Sequence, residues 1–97
     1  PAYFYYFTEC LIAAGIKLGL KKEDAEVLAI ETLIGAGKMV AKSQKSPGEL
    51  REAVTSPNGT THAALTKFRE ARLEDIVCLA TQAAMQRGYE MEGEFRK

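Results

Sequence analysis

Residues 22–42 read KEDAEVLAIETLIGAGKMVAK, and their pattern sets the class of the whole chain. Ala29, Leu33, Ala36 and Val40 recur at steps of three and four, which is one face of a helix. Ile30, Ile34 and Ala41 make a second stripe beside it, and Leu28 and Met39 widen the apolar arc. Glu23 and Asp24 stand in the first turn, Lys38 and Lys42 in the last, as the helix dipole favours. The spacing predicts a helix from about Lys22 to Lys42 that is buried on several sides. Gly35 and Gly37 cost about 1 kcal/mol each against alanine inside a helix. They are tolerable where another backbone must come close. In a chain of 97 residues, a partner subunit is expected to supply part of that cover.

The flanking segments are helical too, and β-branched alternation is absent. Upstream, Phe4, Phe7, Leu11, Ala14 and Leu18 line one face of a predicted helix from Ala2 to Leu18, with Gly19 as its C-terminal stop. Tyr5, Ile12 and Ile16 put apolar groups on another face. Downstream, Ser46 as N-cap, Pro47 at the first helical position and Glu49 at the third start a short helix to about Val54. A loop over Thr55–Thr61 precedes a helix from Thr60 to Arg69 with Ala64, Leu65 and Phe68 as its apolar face. The last helix is expected over Leu73–Glu92, with Leu73, Val77, Ala80, Ala84 and Met91 on one side. The reading is all-α, one domain of about five helices over residues 1–97.

Composition narrows the function classes. Thirteen basic residues balance thirteen acidic ones, so net charge is zero, which argues against a strongly basic nucleic-acid binder. No window approaches the roughly 18 apolar residues of a membrane span. A domain this small hides barely enough apolar surface to offset the entropy of ordering it, which again favours association. Cys10 and Cys78 lie in apolar helical stretches and read as two buried thiols in a reducing, cytoplasmic compartment. With no basic n-region and no small-residue cleavage site, a secretory signal is not expected. The chain opens at Pro1 directly into five aromatics, Tyr3–Phe7, and reads as a piece of a longer protein. On a helix those rings point all round, which suits core and interface; with no basic residue among them, nucleic-acid stacking is not expected.

Few residues offer chemistry. His62 is the single histidine, and no cysteine or histidine stands at metal-ligand spacing from another, so no metal site is expected. Glu23, Asp24 and Glu26, and later Glu90, Glu92 and Glu94, read as solvated helix faces. The informative segment is the loop. Pro57 fixes one dihedral and Asn58-Gly59 admits a positive φ, after which the chain enters a helix at Thr60-Thr61. The N–H groups of Gly59, Thr60 and Thr61 are expected to converge at the positive end of the helix dipole, a receptor for a carboxylate or phosphate. The hydroxyls of Ser56, Thr60 and Thr61 surround it. A helix N-cap with no ligand is the alternative.

The run Leu50-Arg51-Glu52-Ala53-Val54-Thr55-Ser56-Pro57-Asn58-Gly59-Thr60-Thr61 closely resembles the LR-x-x-VTSPGGTT signature of pyrroline-5-carboxylate reductases. Pro1-Ala2-Tyr3 resembles the start of that family's second domain. Ala14–Leu20 resembles its AGVKLGL, and Thr32–Val40 its TLLGAAKMV. The matches run in order over most of the chain. Asn58 replaces the more usual first glycine, and Arg69 stands where an acidic or amide residue is more common. The resemblance implies an all-α dimerisation domain, 6-phosphogluconate dehydrogenase C-terminal-like, that also holds substrate. It implies an N-terminal dinucleotide-binding domain absent from this chain, which would bind the cofactor, NADPH or NADH. The implied reaction of the full-length enzyme is reduction of 1-pyrroline-5-carboxylate to L-proline, with this fragment alone inactive. The implied assembly is a homodimer, with a higher oligomer of dimers left open. Ser56, Asn58, Gly59, Thr60 and Thr61 are the implied substrate-binding residues, and Thr61 the implied catalytic one. The other reading is a non-catalytic helical dimer domain that binds a small carboxylate.

Overall fold

The computed structural model describes residues 1–96, with side chains through residue 94. Five helices follow one another, and no strand occurs among the described residues: α1 (Ala2–Lys17), α2 (Lys22–Lys42), α3 (Pro47–Ala53), α4 (Thr60–Glu70) and α5 (Leu73–Arg96). The chain divides into two compact units, Pro1–Leu50 and Arg51–Lys97, with the division inside α3.

The first unit is a hairpin of α1 and α2. Gly19 turns the chain at φ 107, a value that glycine adopts without strain. The N–H of Leu20 donates to Gly15 O at 3.0 Å and that of Gly19 to Ile16 O at 3.0 Å. This pair of bonds satisfies the last carbonyls of α1 and reverses the chain. The helices then meet where side chains are small. A Cβ added at Gly15 would stand 3.3 Å from Ala25 Cβ and 3.2 Å from Leu20 Cδ1. Ala25, Ala29 and Thr8 are the buried residues of this unit among those described. Thr8 satisfies its hydroxyl by donating to Phe4 O at 2.7 Å.

The face that α1 turns to α2 is not the one its longest apolar stripe predicts. Thr8 is buried and Ile12 and Gly15 half-buried, whereas Phe4, Leu11 and Leu18 of the expected face are exposed. Close approach at Gly15 and Ala25 selects the small-residue face and leaves the bulky one uncovered. Cys10 and Cys78, expected to be buried, are exposed free thiols. In α2, Ala29 is buried and Leu33 half-buried, but Ile30, Ile34 and Val40 are exposed. Nothing within 4 Å would meet a Cβ at Gly35 or Gly37, so the backbone approach expected there is not made within this chain.

The capping box that opens α3 forms as read. Glu49 N–H donates to Ser46 Oγ at 3.1 Å, and Ser46 N–H to Glu49 Oε1 at 3.3 Å. In the second unit α4 packs on α5. Only Ala71 and Arg72 link them, and Arg72 takes φ 61, unusual for a side chain of its size. Its Nε donates to Asp75 Oδ2 at 2.6 Å in the first turn of α5. Leu65 and Phe68 of α4 share a shallow groove with Leu73 and Val77 of α5. No described residue of this unit is buried. The helix α5 runs past its expected end at Glu92 to Arg96. Along it Arg87 holds Glu90 and Glu94, each at 3.2 Å, on an exposed face.

Candidate functional site

The loop from Thr55 to Thr61 is fastened at both ends by its own chain. At its start, Val54 N–H donates to Arg51 O at 3.2 Å and Thr55 N–H to Glu52 O at 3.1 Å. The Thr55 hydroxyl donates to Arg51 O at 2.6 Å. A four-residue turn follows, closed by Gly59 N–H donating to Ser56 O at 3.1 Å. Pro57 occupies its second position and Asn58, at φ 60, its third. Proline followed by a residue of positive φ is the signature of a type II turn. The two residues divide the work: Asn58 takes the left-handed conformation, while Gly59 removes a clash. A Cβ on Gly59 would stand 3.3 Å from both Ser56 Cβ and Ser56 O.

The turn delivers the chain into α4 with Gly59 as N-cap, its backbone extended. No side chain caps the helix. The Gly59 carbonyl accepts from Ala63 N–H at 3.1 Å, the first bond of the helix. The uncommitted first-turn donors are therefore the N–H groups of Thr60, Thr61 and His62. Gly59, expected among them, is not: its N–H is inside the turn. The donor set is displaced by one residue along the chain, and the reason is the 3.1 Å bond that closes the turn.

The hydroxyls separate into two groups. Thr8, Thr32, Thr55, Thr66 and Thr81 each donate to the carbonyl four residues earlier. Thr60 and Thr61 stand too early in α4 for a helical carbonyl at that spacing, and both are exposed. Their hydroxyls, with that of exposed Ser56, are available to a ligand. His62 is also exposed, in the first turn of α4. The site therefore offers neutral donors at the positive end of a helix, on a surface. The groove between α4 and α5 is lined by other residues, among them Arg51, Phe68, Arg72 and Cys78, and does not include Ser56–Thr61. Among the described residues no group of three His, Cys, Asp or Glu is placed to hold a metal ion. No helix of the described residues is long and apolar enough to cross a membrane.

The family model for pyrroline-5-carboxylate reductase dimerisation matches residues 1–91. The chain belongs to that family. The pyrroline-5-carboxylate reductase of Pseudomonas aeruginosa is 45% identical over 91 residues, which is 94% of this chain and 33% of that protein. The Arabidopsis thaliana reductase is 38% identical over 91 residues, again 94% of this chain and 33% of that protein. Solved reductases share the fold. That of Coxiella burnetii superposes with a TM-score of 0.89 at 39% identity, over 93% of this chain and 33% of that one. That of Plasmodium falciparum, with NADP bound, gives 0.86 at 36% identity, over 90% and 35%. The chain thus spans about one third of the length of the relatives it matches. In this pyrroline-5-carboxylate reductase dimerisation domain no strand lies among the described residues. The described residues therefore contain no strand–glycine-rich turn–helix unit of the doubly wound dinucleotide-binding kind.

Proposed function

We propose that this chain is the dimer-forming and substrate-holding part of a reductase that converts 1-pyrroline-5-carboxylate to L-proline. The single observation that carries the substrate role is the open first turn of α4, with three N–H donors and two uncommitted threonine hydroxyls. The substrate carboxylate accepts from the N–H groups of Thr60, Thr61 and His62, where the helix dipole adds to the hydrogen bonds. Ser56 and Asn58 line the approach, and Gly59 keeps it free of a side chain. The reductant, NADPH or NADH, binds to another part of the complete protein. Reduction of the ring's C=N bond raises electron density on nitrogen. The Thr61 hydroxyl, a neutral donor within reach of a ring held by its carboxylate, stabilises that charge. Because the donors lie on a surface, the walls of the pocket come from outside this chain. A cytoplasmic location goes with this reading, since a reducing compartment preserves two free thiols. Two copies associate through the apolar helix faces that each chain leaves open, and the same faces leave room for dimers to assemble further.

Paired substitutions in a complete reductase carrying this domain test the site. Thr61→Val keeps the branched shape and removes the hydroxyl. It is expected to lower kcat/KM by roughly ten- to a thousandfold, the order of one lost transition-state hydrogen bond. Thr60→Ala removes a hydroxyl but keeps the N–H, and should change kcat/KM little. Normal turnover by Thr61→Val, or a crippled Thr60→Ala, contradicts the assignment.

A further inference from the structure

We propose that Asn58 is a site of covalent modification: its side-chain amide closes on the backbone nitrogen of Gly59, and the acid that results shuts the donor turn of α4. The second half rests on the substrate reading above; the first half does not. Asparagine is thermolabile because its amide carbon can form a five-membered ring with the next backbone nitrogen. Glycine at that next position leaves the nitrogen unshielded and the backbone free to rotate. Asn58-Gly59 is such a pair, and Asn58 is the single asparagine of the chain. It is exposed, so water reaches its amide. One bond restrains the ring closure. Gly59 N–H donates to Ser56 O at 3.1 Å and must let go before its nitrogen attacks. The bonds on either side, Thr55 N–H to Glu52 O and Ala63 N–H to Gly59 O, can stay in place. In an exposed turn, one neutral hydrogen bond slows the reaction by about tenfold at most.

The step needs only water. The Gly59 nitrogen gives its proton to hydroxide and bonds to Asn58 Cγ. The Cγ–Nδ2 bond breaks, and the nitrogen leaves as ammonia with a proton from water. A second water opens the cyclic imide at either carbonyl, giving aspartate or isoaspartate. Both products carry a negative charge on the residue before the N-cap of α4. The helix dipole that favours a substrate carboxylate favours this one equally. The new charge therefore takes the substrate's place at the N–H groups of Thr60, Thr61 and His62, and repels a second carboxylate. Isoaspartate also lengthens the main chain of the turn by one atom.

The test ages a complete reductase carrying this domain in neutral buffer at physiological temperature, beside its Asn58→Gly variant. Peptide mapping by mass spectrometry reads aspartate and isoaspartate at position 58, and initial rates read KM and kcat. Conversion is expected within about tenfold of the rate for the same protein in urea. The KM for 1-pyrroline-5-carboxylate rises as conversion proceeds, while aged Asn58→Gly keeps its own starting KM. Asn58→Asp, made directly, raises KM roughly tenfold, and added salt reduces that rise because its cause is charge. If position 58 remains asparagine while the protein in urea converts, the proposal is overturned and the substrate reading stands. Conversion with KM unchanged, or a KM rise in Asn58→Asp that salt does not touch, overturns the switch. Thr61→Val then separates the two ideas: crippled, it leaves the substrate reading standing; normal, it removes that reading as well.

Discussion

Asn58 carries the bend that aims the first turn of α4 outward. Its φ of 60 lies in the left-handed region, where asparagine is tolerated because its short amide bonds locally, and alanine is not. Asn58→Ala is therefore expected to lower stability by about 1 kcal/mol, and Asn58→Gly to leave it near the original, both measurable as shifts in the urea midpoint. Equal loss in the two variants would mean that the asparagine side chain, not the backbone, holds the turn. At this scale much of the site was legible in the sequence. Pro57, Asn58 and Gly59 announce a turn, and Thr60-Thr61 a helix start. Which N–H groups stay free was not legible, because that depends on the bond from Gly59 to Ser56 and hence on the turn type. The steric reason for Gly59 was hidden too: its Cβ position is blocked by Ser56, while its φ of −86 is open to any residue.

Helix boundaries were readable where end charges, a capping box or a C-terminal glycine mark them. The span Lys22–Lys42 is as the pattern indicates, the Ser46–Glu49 box forms, and Gly19 ends α1. The end of α5 carries no such device: Gly93 does not stop it, and it continues to Arg96. The α4–α5 link was equally unmarked, since Arg72 adopts a positive φ without a glycine to signal it. Which face of α1 meets α2 was ambiguous for a physical reason. Periodicity counts apolar size, but a close helix pair is decided by what lets backbones approach. Gly15 against Ala25 wins over Phe4, Phe7 and Leu11. Gly15→Val should then force α1 from α2, because Ala25 is a backbone-near neighbour that cannot swing away. A loss of about 1–3 kcal/mol is expected, the usual range for overpacking, read as a lowered thermal midpoint. The same substitution at Gly35, which meets nothing in its own chain, measures instead whether a second copy approaches there.

For the whole molecule, the sequence announced helices and association but could not show how little of the chain is self-covered. An apolar stripe reads the same whether its partner is in cis or in trans, and so Cys10 and Cys78 read as buried while the structure leaves both thiols exposed. The ion pairs Lys22–Glu26, Arg51–Glu52, Lys67–Glu70, Arg72–Asp75, Arg87–Glu90 and Arg87–Glu94 all lie at exposed side chains. Surface pairs contribute little, so they do not substitute for a core. Association is therefore the claim on which both the fold and the site depend, the pocket walls included. Sedimentation equilibrium of the chain at micromolar concentration tests it most directly. The account predicts a mass of twice the 10.6 kDa chain, or a larger even multiple. A helical species of 10.6 kDa that persists at high concentration would contradict it.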